Sequence, residues 1–425
     1  MASTLAQKIV ARAAGMPEVT PGEIVTARVD LAMIHDSGGP RRIEPILREW
    51  DAGLFDKDKV VLISDHFVPG ETDEGARILE LTRAWAKERK VAFHDGEGIC
   101  HVVLPEKGHL RPGMLVVGGD SHSPTGGAFG AYMFGVGATE MAGVLATGEI
   151  WLRVPGTILI EWQNRLGPGV MAKDMMLALC GRLGMGGGKY EAVEYSGEAI
   201  AALSMQERMT MSNMAAELGA QAGLIAPDET TVAWLTDHGG DAGDWQQFRT
   251  DDDAAVLERH VFDAATLAPQ VAAPHSPANS MPAQDAPETQ VDIAYIGACT
   301  GAKYDDLRAA AAILRGRKLA PNVKMMVAPS SAADQRRAEE HGLMKVFEDV
   351  GARILPNACG ICAGYGAERL GEEVTCISST ARNFQGRMGA SSSKVWLGSP
   401  LTVAASALEG RIADPRHHLR ELEGV

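Results

Sequence analysis

Along this chain, continuous apolar runs of strand length repeatedly end in polar residues, and this pattern restricts the fold more than any other feature. Val60-Val61-Leu62-Ile63 stops at Ser64-Asp65-His66, and Met114-Leu115-Val116-Val117 stops at Gly118-Gly119-Asp120-Ser121-His122. Ala294-Tyr295-Ile296 leads into Gly297-Ala298-Cys299-Thr300, and Arg353-Ile354-Leu355 leads towards Cys359. Unbroken apolar strands suit parallel sheets covered on both faces, and polar groups just past a strand's carboxyl end are where open α/β sheets meet ligands. Helical patterns at Glu71 to Arg89, Lys173 to Leu183, Asp305 to Arg315, Asp334 to Glu348 and Leu401 to Glu409 complete an α/β reading.

A chain of 425 residues suggests roughly two to four domains. Thr157 to Trp162 is a strand in a new setting, and the Pro- and Ala-rich stretch 266–290 reads as a connector. The expected domains are therefore 1–155, 156–285 and 286–425. Ile24 to Asp30 reads as one strand and Gly96 to His101 as a loop. Ser204-Met205-Gln206-Glu207 is a capping-box pattern that opens a helix through about Leu218, which puts Asn213 and Glu217 on one face. Residues 1–15 lack acidic groups and carry Lys8 and Arg12, as a transit peptide would, but Leu5, Ile9 and Val10 at helical spacing predict an amphipathic helix.

The formal charge of −15, without a basic stripe, argues against a nucleic-acid surface and leaves room for a local basic pocket that binds a small anion. No apolar run is long enough to span a membrane. Six cysteines without regular spacing point to a reducing cytoplasm and not to a disulfide framework.

Two of those cysteines share the turn Cys359-Gly360-Ile361-Cys362. Together with Cys299 they read as three thiolate ligands of one iron–sulfur cluster, one short of the usual four. An iron with an open position can bind substrate and act as a Lewis acid. Two rivals are a redox dithiol, for which Gly364 and Gly366 make a poor helix start, and structural zinc, which lacks an adjacent fourth ligand. Cys100, Cys180 and Cys376 read as buried structural thiols. His66, His101 and His122 each follow a strand, and Asp65 and Asp120 stand where a carboxylate can fix an imidazole's tautomer. Arg382 and Arg387 flank an aromatic-containing loop and suit carboxylate recognition. The glycine-rich stretches at 135–140 and 183–190 fail the detailed requirements of phosphate loops.

Taken together, these residues resemble the large, catalytic subunit of 3-isopropylmalate dehydratase and homoaconitase, within the aconitase superfamily. The resemblance rests on Ser64-Asp65-His66, Gly98-Ile99-Cys100-His101, Gly119-Asp120-Ser121-His122, Asn213-Met214-Ala215-Ala216-Glu217, Gly297-Ala298-Cys299-Thr300, Ala358-Cys359-Gly360-Ile361-Cys362 and Arg382-Asn383-Phe384-Gln385-Gly386-Arg387, in family order over nearly the whole chain. It implies three α/β/α domains around a [4Fe-4S] cluster on Cys299, Cys359 and Cys362, with one iron not ligated by cysteine. It implies catalytic roles for Asp65, His66, His101, Asp120, His122 and Glu217. Substrate binding would fall to His35, Ser121, Asn213, Arg382 and Arg387, with His35 standing where aconitases proper carry a glutamine.

The implied reaction is removal and re-addition of water on a hydroxy-dicarboxylate. The leading candidate is 3-isopropylmalate; homocitrate or another alkylated malate such as 2,3-dimethylmalate is the alternative. The resemblance implies that the mobile fourth domain, which carries the family's serine base, is expected on a separate small subunit as partner. Gly301 and Ala381 depart from the family's usual asparagines, and Ile361 and Ala363 from its usual Pro and Leu. Two other classes stay open: an iron-responsive RNA-binding protein and a mononuclear-metal dehydratase on the same scaffold.

Overall fold

The apolar runs become buried strands. In the computed structural model, which describes residues 2–365 and 368–419, every residue of Leu31–His35, Val60–Ser64 and Leu115–Gly118 is buried. Gly366 and the last residues of the polar tail, 420–425, lie outside the described residues. By packing, the chain divides into two units that interleave in sequence: one holds residues 1–96, 100–163 and 188–262, the other 97–99, 164–187 and 263–425.

The first unit is built on a five-stranded, wholly parallel sheet in the order Ala92–Asp95, Val60–Ser64, Leu31–His35, Leu115–Gly118, Tyr132–Gly135. The chain lays down the central strand first, adds two strands on one side, then crosses to the other. This reversal is a topological switch point, and it leaves a crevice outside the carboxyl ends of the strands. Residues of the Leu5–Ala14 helix join the core on this sheet. The helix begins as a reciprocal capping box between Thr4 and Gln7 and ends at Gly15 in the left-handed conformation, as its amphipathic pattern predicts.

A second, four-stranded sheet in this unit orders Ala222–Ile225, Ala192–Ser196, Thr157–Gln163 and Glu258–Asp263. The short 3-10 segment Ser123–Phe129 packs hard against it. A methyl group added at Gly127 would lie 1.9 Å from the Gly223 carbonyl oxygen, so only glycine permits this approach.

The second unit carries a seven-stranded mixed sheet: Ser280–Pro282, Gln270–Ala272, Lys394–Gly398, Thr375–Ser378, Ile293–Ile296, Lys324–Val327, Arg353–Ile354. Its last five strands are parallel, and Ile293–Ile296 is again the strand from which the order reverses. Buried faces of Tyr304–Leu314 and Pro400–Glu409 pack on it. Among the described residues no helix is long and apolar enough to cross a membrane.

Several local expectations need correction. Ile24 to Asp30 is not one strand: Ile24–Arg28 pairs antiparallel with Glu149–Arg153, and a separate strand starts at Leu31. The 266–290 stretch is not merely a connector, because Gln270–Ala272 and Ser280–Pro282 form an edge hairpin, where proline is tolerated. Lys394–Gly398, which the sequence reading passed over, is a buried strand. Cys100 and His101 open the helix Cys100–Glu106 and do not sit in a loop, since the left-handed Gly96 and Gly98 complete the turn before them. The helix expected to reach Leu218 ends at Asn213 and tightens into a 3-10 turn over Met214–Ala216, so Glu217 lies just past the helical segment.

Candidate active site

The polar residues at the carboxyl ends of the five-stranded sheet form one buried hydrogen-bonded network around Asp120. His101 Nε2 lies 2.7 Å from Asp120 Oδ1, and the same oxygen accepts the His122 backbone N–H at 2.8 Å. His66 Nε2 faces the other Asp120 oxygen at 3.9 Å, while its Nδ1 is 2.6 Å from Asp65 Oδ1. Asp65 also accepts the Cys100 N–H at 2.8 Å, which ties the start of the Cys100–Glu106 helix to the strand end at 64–66.

On the other side of the network His122 Nε2 sits 3.2 Å from Glu217 Oε1, and Glu217 is fully buried. Asn213 donates to Thr125 Oγ1 at 2.8 Å, and that hydroxyl donates to the His122 carbonyl at 2.7 Å. Asn213 thus braces the His122 turn from beneath. Ser121 is exposed.

The electrostatics follow from burial and pairing. Burial alone would lower the pKa of His66, but the carboxylates of Asp65, Asp120 and Asp36 outweigh it and raise the imidazole to about 9. Burial opposes ionisation of Asp65, yet His66 and the Cys100 N–H hold it at about 2. Asp120 is likewise held well below the usual carboxylate range, by His101 and His122 against its burial. At neutral pH the site therefore contains a protonated His66 between two carboxylates.

His35 stacks on His66, with ring centroids 4.4 Å apart, and its Nε2 lies 2.9 Å from the Gly119 carbonyl oxygen. Burial and the charged His66 lower its pKa, so it is the neutral member of the stacked pair. Among the described residues His35 Nδ1 and His101 Nδ1 are buried without a hydrogen-bond partner, which leaves each with capacity for a bound polar group.

Sequence reasoning missed Asp36. Its carboxyl group is fully buried and accepts the backbone N–H groups of His66 and Phe67, at 3.1 and 2.8 Å. Burial and Asp65 push its pKa upwards. Its position directly after an apolar strand, like that of Asp65 and Asp120, was the available signal.

In the second unit Cys299 follows the strand Ile293–Ile296, Cys359 caps the 3-10 turn Gly360–Ala363, and Cys362 lies within that turn. Cys299 and Cys362 are buried and Cys359 half-buried. All three bear on one phenol. Burial first, then the nearness of Cys362, Cys359, Cys376 and Cys299, raises the Tyr295 pKa well above its ordinary value. The Tyr295 hydroxyl is buried without a hydrogen-bond partner among the described residues, and Gly297 has no room for a side chain against its ring. A buried hydroxyl without a partner and several nearby thiols are a donor set of the kind a sulfur-rich inorganic group takes.

The cysteine loop is tied to the 378–383 loop. Ser379 Oγ accepts the Gly297 N–H at 2.9 Å and reaches the Gly301 carbonyl at 3.2 Å, and Thr300 Oγ1 donates to the Ser379 carbonyl at 3.0 Å. Asn383, inside the arginine loop, is fixed by donations to the carbonyls of Ala273 and Val395 at 2.8 and 3.0 Å. Arg382 and Arg387 are half-buried, and Arg387 Nε has no hydrogen-bond partner among the described residues.

Comparison with known proteins places this architecture. The family model "Aconitase family (aconitate hydratase)" matches residues 65–290 and 282–410. The chain is 41% identical over 421 residues to 3-isopropylmalate dehydratase large subunit 1 of Methanopyrus kandleri, covering 99% of this chain and 100% of that protein. It is 42% identical over 417 residues to the probable 3-isopropylmalate dehydratase large subunit of Methanothermobacter thermautotrophicus (98% and 99% covered). It is 40% identical over 418 residues to the probable methanogen homoaconitase large subunit of the same organism (97% of each chain). Among solved structures, holo-form aconitase X from Thermococcus kodakaraensis is similar at 13% identity, with a TM-score of 0.49 and 84% of each chain covered. With the family model and the full-length relatives in agreement, the chain belongs to the aconitase family.

Proposed function

We propose that this chain is the large subunit of an iron–sulfur hydro-lyase that interconverts 3-isopropylmalate and 2-isopropylmalate by removing and re-adding water. The observation that carries this reading is identity of about two residues in five, over full length, to relatives named 3-isopropylmalate dehydratase large subunits. The buried His–carboxylate network supports the chemistry. Protonated His66, locked by Asp65, is an acid suited to a departing hydroxyl, and the Asp120–His101 and Glu217–His122 pairs offer proton-transfer partners of fixed orientation. Arg382 and Arg387 would take the substrate carboxylates, with His35, Ser121 and Asn213 completing the substrate contacts.

Membership of the aconitase family implies a [4Fe-4S] cluster. Cys299, Cys359 and Cys362 would hold it, leaving one iron without a cysteine ligand. When bound, such an iron supplies Lewis acidity towards a hydroxyl and a carboxylate. The relatives' names are those of large subunits, and a separate small subunit carrying the swivel domain is the proposed partner. The division into domains 1–155, 156–285 and 286–425 and a cytoplasmic location belong to the same proposal.

The homoaconitase relative favours one second reading, a longer homocitrate-type substrate. The test is anaerobic reconstitution of the chain with iron and sulfide, alone and with its small subunit, assayed on 3-isopropylmalate, homocitrate and 2,3-dimethylmalate. Turnover of 3-isopropylmalate only with the small subunit is the expected result. Equal turnover by the chain alone defeats the partner proposal, and preference for homocitrate selects the second reading.

A further inference from the structure

Tyr295 is the third residue of the strand Ile293–Ile296, and it is wholly buried. Its backbone is committed to the sheet. It pairs with Met326 on one side and Ser378 on the other, and its carbonyl accepts the Ser379 N–H at 3.0 Å. The hydroxyl is not provided for in the same way: it is buried without a hydrogen-bond partner among the described residues. Taking a phenolic hydroxyl out of water without a partner is costly, and phenylalanine would fill the same space without that cost.

The hydroxyl lies over the turn that leads to Cys299. A methyl group at Gly297 would lie 2.2 Å from both Cζ and Oη of Tyr295, so the tip of the ring rests against the chain two residues before that cysteine. Ala298, between them, takes the left-handed conformation with φ 69°. The polar groups of this turn are already engaged. The Gly297 N–H donates to Ser379 Oγ at 2.9 Å, and the carbonyls of Gly297 and Ala298 accept from Ser379 and Ser330 at 3.1 and 2.9 Å. Burial first, and then the nearby Cys362, Cys359, Cys376 and Cys299, keep the phenol protonated and so able to donate. Of these cysteines, Cys376 has its own contact, from its thiol to the Ile377 carbonyl at 3.5 Å.

We infer that the Tyr295 hydroxyl donates a hydrogen bond to a sulfur of the group held by Cys299, Cys359 and Cys362 and thereby tunes its reduction potential. The inference rests on the cysteine ligand set proposed above. A donor aimed at a cluster sulfur favours the more negative charge state, so it raises the potential. The same bond makes removal of an electron harder, which protects the cluster from oxidation in air.

The test uses the full chain, reconstituted anaerobically, as the wild type, as Tyr295→Phe, and with 3-fluorotyrosine placed at position 295. Tyr295→Phe keeps the ring and removes the donor. The fluorinated phenol is more acidic and a stronger donor, and it decides the question should the Phe variant fail to fold. Iron and acid-labile sulfide are counted, the midpoint potential is taken by EPR-monitored titration, and exchangeable protons coupled to the reduced cluster are followed by ENDOR in light and heavy water. The expected result is wild-type iron and sulfide in both altered chains and loss of one exchangeable coupling in Tyr295→Phe. Reduction of Tyr295→Phe should be roughly tenfold less favourable, 59 mV for one electron, and the fluorinated chain should shift in the opposite direction. Wild-type potentials and unchanged proton couplings overturn the inference, as when a water serves the phenol, and leave the ligand set intact. Wild-type chain that binds iron without sulfide overturns the ligand set, and this inference with it.

Discussion

The side chains of Asp65 and His66, neighbours in sequence, hydrogen bond to each other at 2.6 Å, Oδ1 to Nδ1. Successive residues in an extended strand point to opposite faces, so this contact requires the chain to turn where the Val60–Ser64 strand ends. Asp65→Asn would remove the largest influence raising His66. The imidazole would fall from about 9, because burial is then opposed only by Asp120 and Asp36. Histidine NMR titration should show the fall, and turnover of the reconstituted enzyme should drop by roughly 10²–10⁴-fold. An unchanged His66 titration would refute the pairing.

The same pair predicts a pH dependence of stability. His66 is raised above its ordinary 6.5, so its contribution is complete below about 6.5 and fades as pH rises through about 9. Asp65 is lowered, so the contribution is complete above its ordinary 3.8 and is lost as pH falls through about 2. The alkaline loss is on the order of 3 kcal/mol. Urea unfolding at pH 6 and pH 9.5 should show a decline in the wild type that is much smaller in Asp65→Asn.

Glu217 is a fully buried carboxyl group whose Oε1 lies 3.2 Å from His122 Nε2. Glu217→Gln keeps shape and hydrogen bonding but removes the charge that orients and polarises the imidazole. kcat should fall by about 10²-fold or more, with KM changed little, since the lost interaction belongs to proton transfer. A change confined to KM would reassign Glu217 to substrate binding.

Cys299 is buried at the end of the strand from which the sheet order reverses. Cys299→Ser should fold but hold little sulfide after reconstitution, whereas Cys180→Ser should reconstitute like the wild type. Equal iron and sulfide in both variants would remove Cys299 from the ligand set.

Gly301 stands where the family usually carries asparagine, and the structure shows why no side chain fits. A methyl group there would lie 2.3 Å from Ser379 Cβ and 2.6 Å from the Ser379 carbonyl oxygen. Gly301→Asn should destabilise the chain by about 1–3 kcal/mol. Ser379→Ala should not rescue it, because the carbonyl remains in place. Thermal unfolding of the single and double variants measures both effects.

The sequence by itself determined the α/β class, the carboxyl-end location of Asp65, His66, Asp120 and His122, and the singular placement of Cys299, Cys359 and Cys362. Each is a local property: an apolar run predicts a buried strand, and the polar residue after it predicts a strand end. The tertiary structure alone decided the partnerships. His101 pairs with Asp120 at the carboxyl end of one parallel sheet, and His122 meets Glu217 where Gly127 lets a 3-10 segment press against a second sheet. Asp36 and the Lys394–Gly398 strand escaped the sequence reading for the same reason. Strand order and burial of charge arise from contacts between distant residues, and no local window of sequence contains them.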